Sequence, residues 1–214
     1  MHKIYAMFAT EGSAVDAPLR CDSAQARKLV DHYLPSVAHY RQFARAPAQL
    51  DGGQDAPFAA SAEFWVRDAN ACQAVVDFLH SAAAVQSGLF SVAPSLVEHC
   101  EEHNIMGAAF VDSGFKCTFL FNRKPDMDLG AFHHHWLHTH GPIAARTENA
   151  ERYVQSHITA ADRRYDGITE LFWADHPTAV ASMASEQMRT DQASDAQNFV
   201  DTESLIAFLA TEVP

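Results

Sequence analysis

An α+β fold is predicted, built from two tandem β-α-β-β-α-β repeats, each a four-stranded antiparallel sheet with two helices on one face. Three observations predict it. Residues 37–43 and 115–122 alternate in the strand period, and residues 58–66 form an apolar, aromatic strand. Between such strands, apolar residues recur at helical spacing, as in Ala26, Leu29, Val30 and Tyr33. The third is an internal repeat: residues 58–68 match residues 165–175, aligning Glu63-Phe64-Trp65-Val66 with Glu170-Leu171-Phe172-Trp173. Upstream of each copy, His39-Tyr40-Arg41-Gln42 matches Arg152-Tyr153-Val154-Gln155.

The elements follow in order. Residues 4–9 alternate, with Ile4, Ala6 and Phe8 on one face and Tyr5, Met7 and Ala9 on the other. Residues 10–21 read as a loop. Asp22 or Ser23 caps a helix that Pro35 ends. Residues 37–43 form a strand, and residues 44–57 a loop with an Asp51-Gly52-Gly53 turn. The strand at 58–66 leads to a helix carrying Ala71, Val75, Phe78 and Leu79. Residues 93–103 read as helix or loop, followed by a strand around 108–111. The order then restarts: a strand at 115–122, a histidine-rich helix stopped by Gly141-Pro142, strands at 153–158 and 168–173, and a helix after Asp175-His176-Pro177. Residues 187–204 are polar, and the last apolar run is strand or helix. Residues 1–112 form the first repeat and 113–214 the second. A sheet with one uncovered apolar face needs a partner, so the two ferredoxin-like halves are expected to pack sheet on sheet as an intramolecular α+β barrel around a cavity.

Composition narrows the function. Hydrophobic residues make up 48% and charged residues 20% of 214 residues, enough for a sizeable core. A net charge of −12 repels nucleic acid and anionic membranes, which are excluded as main partners. No apolar run approaches the roughly 20 residues that span a bilayer. The amino-terminal run reads as a first strand and not a signal peptide, so a cytoplasmic location is expected. Cys21, Cys72, Cys100 and Cys117 are widely spaced, against a redox motif or a disulfide framework.

The chemistry concentrates in residues 131–157, which hold six of the chain's 13 histidines. Phe132, His135, Trp136, Thr139 and His140 fall on one helical face, and Tyr153, Gln155 and His157 on one strand face. Helix against sheet, they would converge on one interior space. His140, at the helix end, titrates near neutrality whether the helix terminus raises its pKa or burial lowers it. His135 is the second proton carrier on that face. If the strand face lines the barrel, Tyr153 donates to a substrate oxygen and His157 serves as a further acid or base; Gln155 favours a polar cavity there. Phe132, Trp136 and Trp173 supply aromatic walls. His133, His134 and His138 are expected to face water. His134 and His138 have metal-ligand spacing but lack a zincin glutamate and an evident third ligand, so no metal is expected. Glu170 and Glu63 are expected to play a shared structural role, paired with Arg152 or Arg41. No phosphate loop, nucleophile elbow or Cys-His arrangement appears, and no cofactor is expected.

These motifs carry a family resemblance. Phe132-x-x-His135-Trp136-x-x-x-His140-Gly141-Pro142, then Arg152-Tyr153-x-Gln155-x-His157, then Tyr165-Asp166-Gly167-Ile168-x-Glu170-Leu171-x-Trp173, and finally Phe199-x-Asp201, resemble the EthD family of dimeric α+β barrels. The likeness covers roughly residues 116–212. The first half keeps Tyr40, Gln42, Glu63 and Trp65 but has Asp31-His32-Tyr33-Leu34-Pro35 for the His-Trp and His-Gly-Pro motifs, and Ala44 where the second half has His157. The resemblance implies an active site in the second half, and relatives that include a muconolactone isomerase, polyketide cyclases, anthrone decarboxylases and cofactor-free monooxygenases. In the isomerase relative the acting histidine and tyrosine correspond to His140 and Tyr153. The expectation is a cofactor-independent isomerase, cyclase or C–C lyase acting on a small aromatic, lactone or polyketide-like compound. The alternatives are a non-catalytic protein binding a hydrophobic metabolite or haem, and a cofactor-free monooxygenase. The partner expected is a small-molecule substrate, with pairing of the pseudo-dimeric chain into a homodimer also open.

Overall fold

The computed structural model describes residues 1–9, 18–47, 57–110 and 115–214. The Asp51-Gly52-Gly53 turn and most of the 10–21 loop lie outside the described residues. The strands are β1 (His2–Ala9), β2 (Val37–Arg45), β3 (Phe58–Val66), β4 (Leu96–Met106), β5 (Phe115–Arg123), β6 (Arg152–Ile158), β7 (Gly167–Trp173) and β8 (Val200–Glu212). Hydrogen bonding orders them β1-β3-β2-β8-β5-β7-β6-β4 in a closed barrel, the predicted α+β class. The helices are α1 (Ser23–Tyr33), α2 (Ala69–His80), α3 (Ala83–Gln86), α4 (Leu129–His135), α5 (Gly141–Ala144), α6 (His176–Met183) and α7 (Ala193–Phe199). Two π-helical turns, Trp136–His140 and Gln187–Gln192, interrupt them. No helix among the described residues is long and apolar enough to cross a membrane.

The chain divides into two compact units. The first comprises Met1–Ala46, Pro57–Glu101 and Ala210–Pro214. Its helices start where a side chain satisfies orphan amides: Asp22 accepts from Gln25 N at 2.8 Å, and Asp68 from Asn70 N at 2.9 Å. Each such cap stabilises by about 1 kcal/mol. Ile4, Ala6 and Phe8 pack with Ala62, Phe64 and Val66 beneath Val30, Val75 and Leu79, all fully buried. The opposite strand face carries a buried ion pair, Lys3 Nζ to Glu63 Oε2 at 2.8 Å. The ammonium also lies over the rings of Tyr5 and Trp65, at 4.3 and 4.6 Å.

The second unit is built on Glu102–Leu209. Its strand register repeats that of the first. Lys3 faces Trp65 and Tyr5 faces Glu63 across β1 and β3; Lys116 faces Phe172 and Thr118 faces Glu170 across β5 and β7. Lys116 Nζ pairs with Glu170 Oε1 at 2.7 Å, both fully buried. The repeated glutamates thus take lysine partners, a correction to the expected arginines. Arg152 instead donates to Asn104 Oδ1 at 2.9 Å.

Three further expectations are corrected. Residues 96–106 are a strand and not helix or loop, pairing with β1 from His2↔Glu101 to Met7↔Leu96. Its buried positions include Glu98, and a buried carboxylate hides the alternation. Ala108–Phe110, read as strand, is a turn that follows Gly107 at φ 82°. A Cβ on Gly107 would lie 2.1 Å from the Glu151 carbonyl oxygen. Residues 187–199, read only as polar, are helical throughout.

Candidate functional site

The histidine-rich helix begins where Asp128 Oδ1 accepts from Gly130 N and Ala131 N, at 2.8 and 3.1 Å. Gly141-Pro142 does not stop it. Proline has no N–H to give the carbonyl four residues back, and its ring crowds that carbonyl. The helix meets this by widening into a π turn, in which Gly141 N–H reaches back five residues to the Trp136 carbonyl. It then continues as α5. The Trp136 carbonyl also accepts from Gln155 Nε2 on β6 at 2.8 Å. Trp136 packs closely on Gly167 because that residue is bare: a Cβ there would sit 2.5 Å from the indole. Gly167 is the first residue of β7.

Helices and sheet line a cavity of about 300 Å³ that opens to solvent. Phe119 and Phe121 of β5, Trp136, Phe199, Leu171, Met183 and Met188 make its apolar wall. His140, Tyr153, Thr169, Arg189 and Gln192 bring polar groups to it. Phe121 meets Trp136 edge-on with centroids 5.0 Å apart, and His140 packs 5.1 Å from the Phe199 ring.

His140 is held by Asp195 of α7, with Nδ1 2.9 Å from Oδ2. The same carboxylate meets His135 Nε2 at 3.1 and 3.3 Å. A carboxylate only accepts, so each imidazole donates to it, and His140 keeps Nε2 as a lone-pair acceptor. Burial depresses the His140 pKa, against the opposing pull of Asp195. Burial pushes Asp195 up, but hydrogen bonds from His140 and His135 outweigh it and hold the carboxyl below its usual range. The pair at neutral pH is therefore a neutral imidazole on a carboxylate.

Gln155 organises the second arm. Its Nε2 faces a backbone carbonyl, which can only accept, so the amide orientation is determined. The same Nε2 lies 2.8 Å from Tyr153 Oη and donates to it. Oε1 is left for His157, whose Nε2–H donates at 3.1 Å. Burial drives the Tyr153 pKa up, partly offset by hydrogen bonds to its oxygen from Gln155, Trp136 and Thr169. His157 is stacked between Trp136 and His133, at 4.6 and 4.4 Å, with His103 also 4.4 Å away. Burial, then the neighbouring His133 and His103, push its pKa down to about 2.

The structure thus brings His140, Tyr153 and Trp136 to one cavity. His135 is not in the cavity lining; it reaches lining residues by packing 4.9 Å from the Phe199 ring and through Asp195, which also holds His140. Gln155 and His157 are not in the cavity lining; both lie against the helix, Gln155 on the Trp136 carbonyl and His157 on the Trp136 ring. Phe132 is buried at 5.6 Å from Trp136. Trp173 is buried on β7, outside the cavity wall. His134 and His138 are exposed with rings 4.6 Å apart, and the described residues bring no third ligand to them. His133 departs from expectation: it is half-buried, with Nε2 3.2 Å from the Asp166 carbonyl. Asp195 was missed, although Met188, Gln192, Ala196 and Phe199 show the helical spacing that carries it.

Residues 124–203 match the EthD domain. No curated protein matches the chain. An anthrone oxidase-like protein shares the fold with a TM-score of 0.59 at 9% identity, over 100% of this chain and 91% of that one. A chlorite dismutase from Candidatus Nitrospira defluvii does so at 0.57 and 12%, over 100% and 91%. A provisionally assigned monooxygenase from Lactobacillus acidophilus NCFM does so at 0.52 and 12%, over 100% and 93%.

Proposed function

We propose, from the match of residues 124–203 to the EthD domain and from the site geometry, that this chain is a cofactor-independent proton-transfer enzyme for a small aromatic, lactone or polyketide-like compound. One observation carries the reading: a neutral histidine, anchored at Nδ1 by Asp195, shares an apolar cavity with a buried tyrosine. His140 Nε2 takes a proton from an acidic carbon or hydroxyl of the substrate. Asp195 stabilises the imidazolium that forms and keeps the ring from turning. The Tyr153 O–H hydrogen-bonds the oxygen on which negative charge collects. The imidazolium then returns its proton at a second atom, which completes an isomerisation or cyclisation. In a decarboxylation it protonates the carbon from which carbon dioxide has departed. A cavity of about 300 Å³ is at the lower end of the range for small ligands, which favours a compact substrate over haem. Arg189, exposed at the cavity, suits a substrate with an acidic group.

The test is turnover of anthrone-, lactone- and phenolic polyketide-like compounds, followed by mass spectrometry with and without dioxygen. His140→Ala should lower kcat by about 10²–10⁴-fold in a variant with unchanged circular dichroism. Undiminished turnover removes the residue from the mechanism. Product containing oxygen from dioxygen moves the same deprotonated substrate to a monooxygenase reading. Saturable binding without conversion moves it to a binding protein.

A further inference from the structure

We propose a second site, in the first unit and unconnected with the cavity: a transition-metal site formed by His2, Cys72 and His99, of the kind that holds zinc. The ligands come from three elements. His2 opens β1, His99 lies on β4 beside it, and Cys72 sits on the buried face of α2 with Val75 and Leu79. One ligand atom from each, the two imidazole nitrogens and Sγ, lie within 4.8 Å of one another. Strand pairing sets this up: Ile4 faces His99 and His2 faces Glu101, so His2 and His99 are diagonal neighbours on the face that meets α2.

The geometry matches a shared ion. His2 Nδ1 and His99 Nε2 are 3.3 Å apart. Two nitrogens at about 2.05 Å from one tetrahedral zinc stand about 3.4 Å apart. A thiolate at about 2.3 Å from that zinc lies about 3.6 Å from each nitrogen, so from a spread within 4.8 Å the cluster needs to contract by about 1.2 Å at most to close. Nitrogen and sulfur together select a borderline or soft ion, zinc in preference to magnesium or calcium. The Cys72 thiol lies 3.6 Å from the Asp68 carbonyl, and ion binding would release its proton. Three protein ligands leave a fourth position for water, and His2 and His99 are only half-buried. Zinc here would tie the first strand to α2 and β4 and so stabilise the first unit.

The experiment uses the chelator-stripped protein and Co²⁺ as a spectroscopic stand-in for Zn²⁺. The expected result is one equivalent bound with intense tetrahedral absorption and a thiolate-to-cobalt charge-transfer band, both displaced by Zn²⁺. Cys72→Ser should remove the band and weaken binding at least tenfold. His99→Gln, which keeps the thiol, should weaken it similarly, and circular dichroism checks both folds. A His134→Ala/His138→Ala double variant should bind as the parent does. Absence of the charge-transfer band in the parent protein overturns the proposal without reference to any variant. Binding lost in the double variant and kept in Cys72→Ser also overturns it, by assigning the ion to the histidine-rich helix.

Discussion

The two units carry the same Tyr-x-Gln pair and wire it in opposite directions. In the first, Tyr40 Oη donates to Gln42 Oε1 at 3.0 Å, and Gln42 Nε2 goes on to the Cys21 carbonyl at 2.7 Å. In the second, Gln155 Nε2 donates to Tyr153 and the Trp136 carbonyl, while His157 occupies Oε1. The amide is reversed. Tyr40 gives its proton to its glutamine; Tyr153 receives one and keeps its own. The residue that differs is the next on that strand face, Ala44 in one unit and His157 in the other. A single residue can thus reverse the wiring of a repeated pair, through the acceptor it occupies.

This comparison predicts that what the units share governs stability and what they do not share governs chemistry. The largest stability effects belong to the shared ion pairs. Glu63→Gln and Glu170→Gln each remove the carboxylate charge paired with a buried lysine and should cost about 3–5 kcal/mol in urea unfolding; a cost below 1 kcal/mol in either would break the parallel. Gly167→Ala comes next, because its Cβ meets the Trp136 indole at 2.5 Å. It should cost about 1–3 kcal/mol and perturb near-ultraviolet circular dichroism, and an unchanged spectrum would show that the indole is not pinned there. The third effect concerns pH. His157 titrates at about 2 in the fold and near 6.5 when unfolded. Above pH 6.5 both states are neutral and nothing is lost. Below it the unfolded chain binds a proton that the folded chain refuses, so stability falls with pH towards 2, by at most about 1.4 kcal/mol per pH unit. His157→Gln should flatten this acid limb in unfolding measurements between pH 7 and 5; an unaltered slope would assign the limb to other groups.

Much of this was legible in the sequence. Strands β3 and β7 declare themselves through β-branched and aromatic residues around a repeated glutamate, and the duplication points to two matching sheets. His140, Tyr153 and Trp136 could be placed together because helix and strand periods project them to one side. Asp195 could not, because its helix reads as polar: the inward stripe uses Gln192 and the small Ala196 where a core helix would show leucine. The burial of His133 was equally hidden, since it depends on the Asp166 carbonyl and on stacking with His157, contacts between residues distant in sequence. The lysine partners of Glu63 and Glu170 are fixed by cross-strand register, which composition does not reveal.

The widened turn at Trp136–His140 has a consequence for how this segment tolerates changes in length. Gly141 bonds five residues back, one more than an α-helix requires, so the turn behaves as a one-residue insertion hosted by a helix. Deleting exposed Thr139 would turn that same bond into an ordinary α-helical one, leaving Trp136 and α5 seated as before. A one-residue insertion has no such refuge and would push α5 off the sheet. Among homologues, then, this stretch should shorten by one residue more readily than it lengthens.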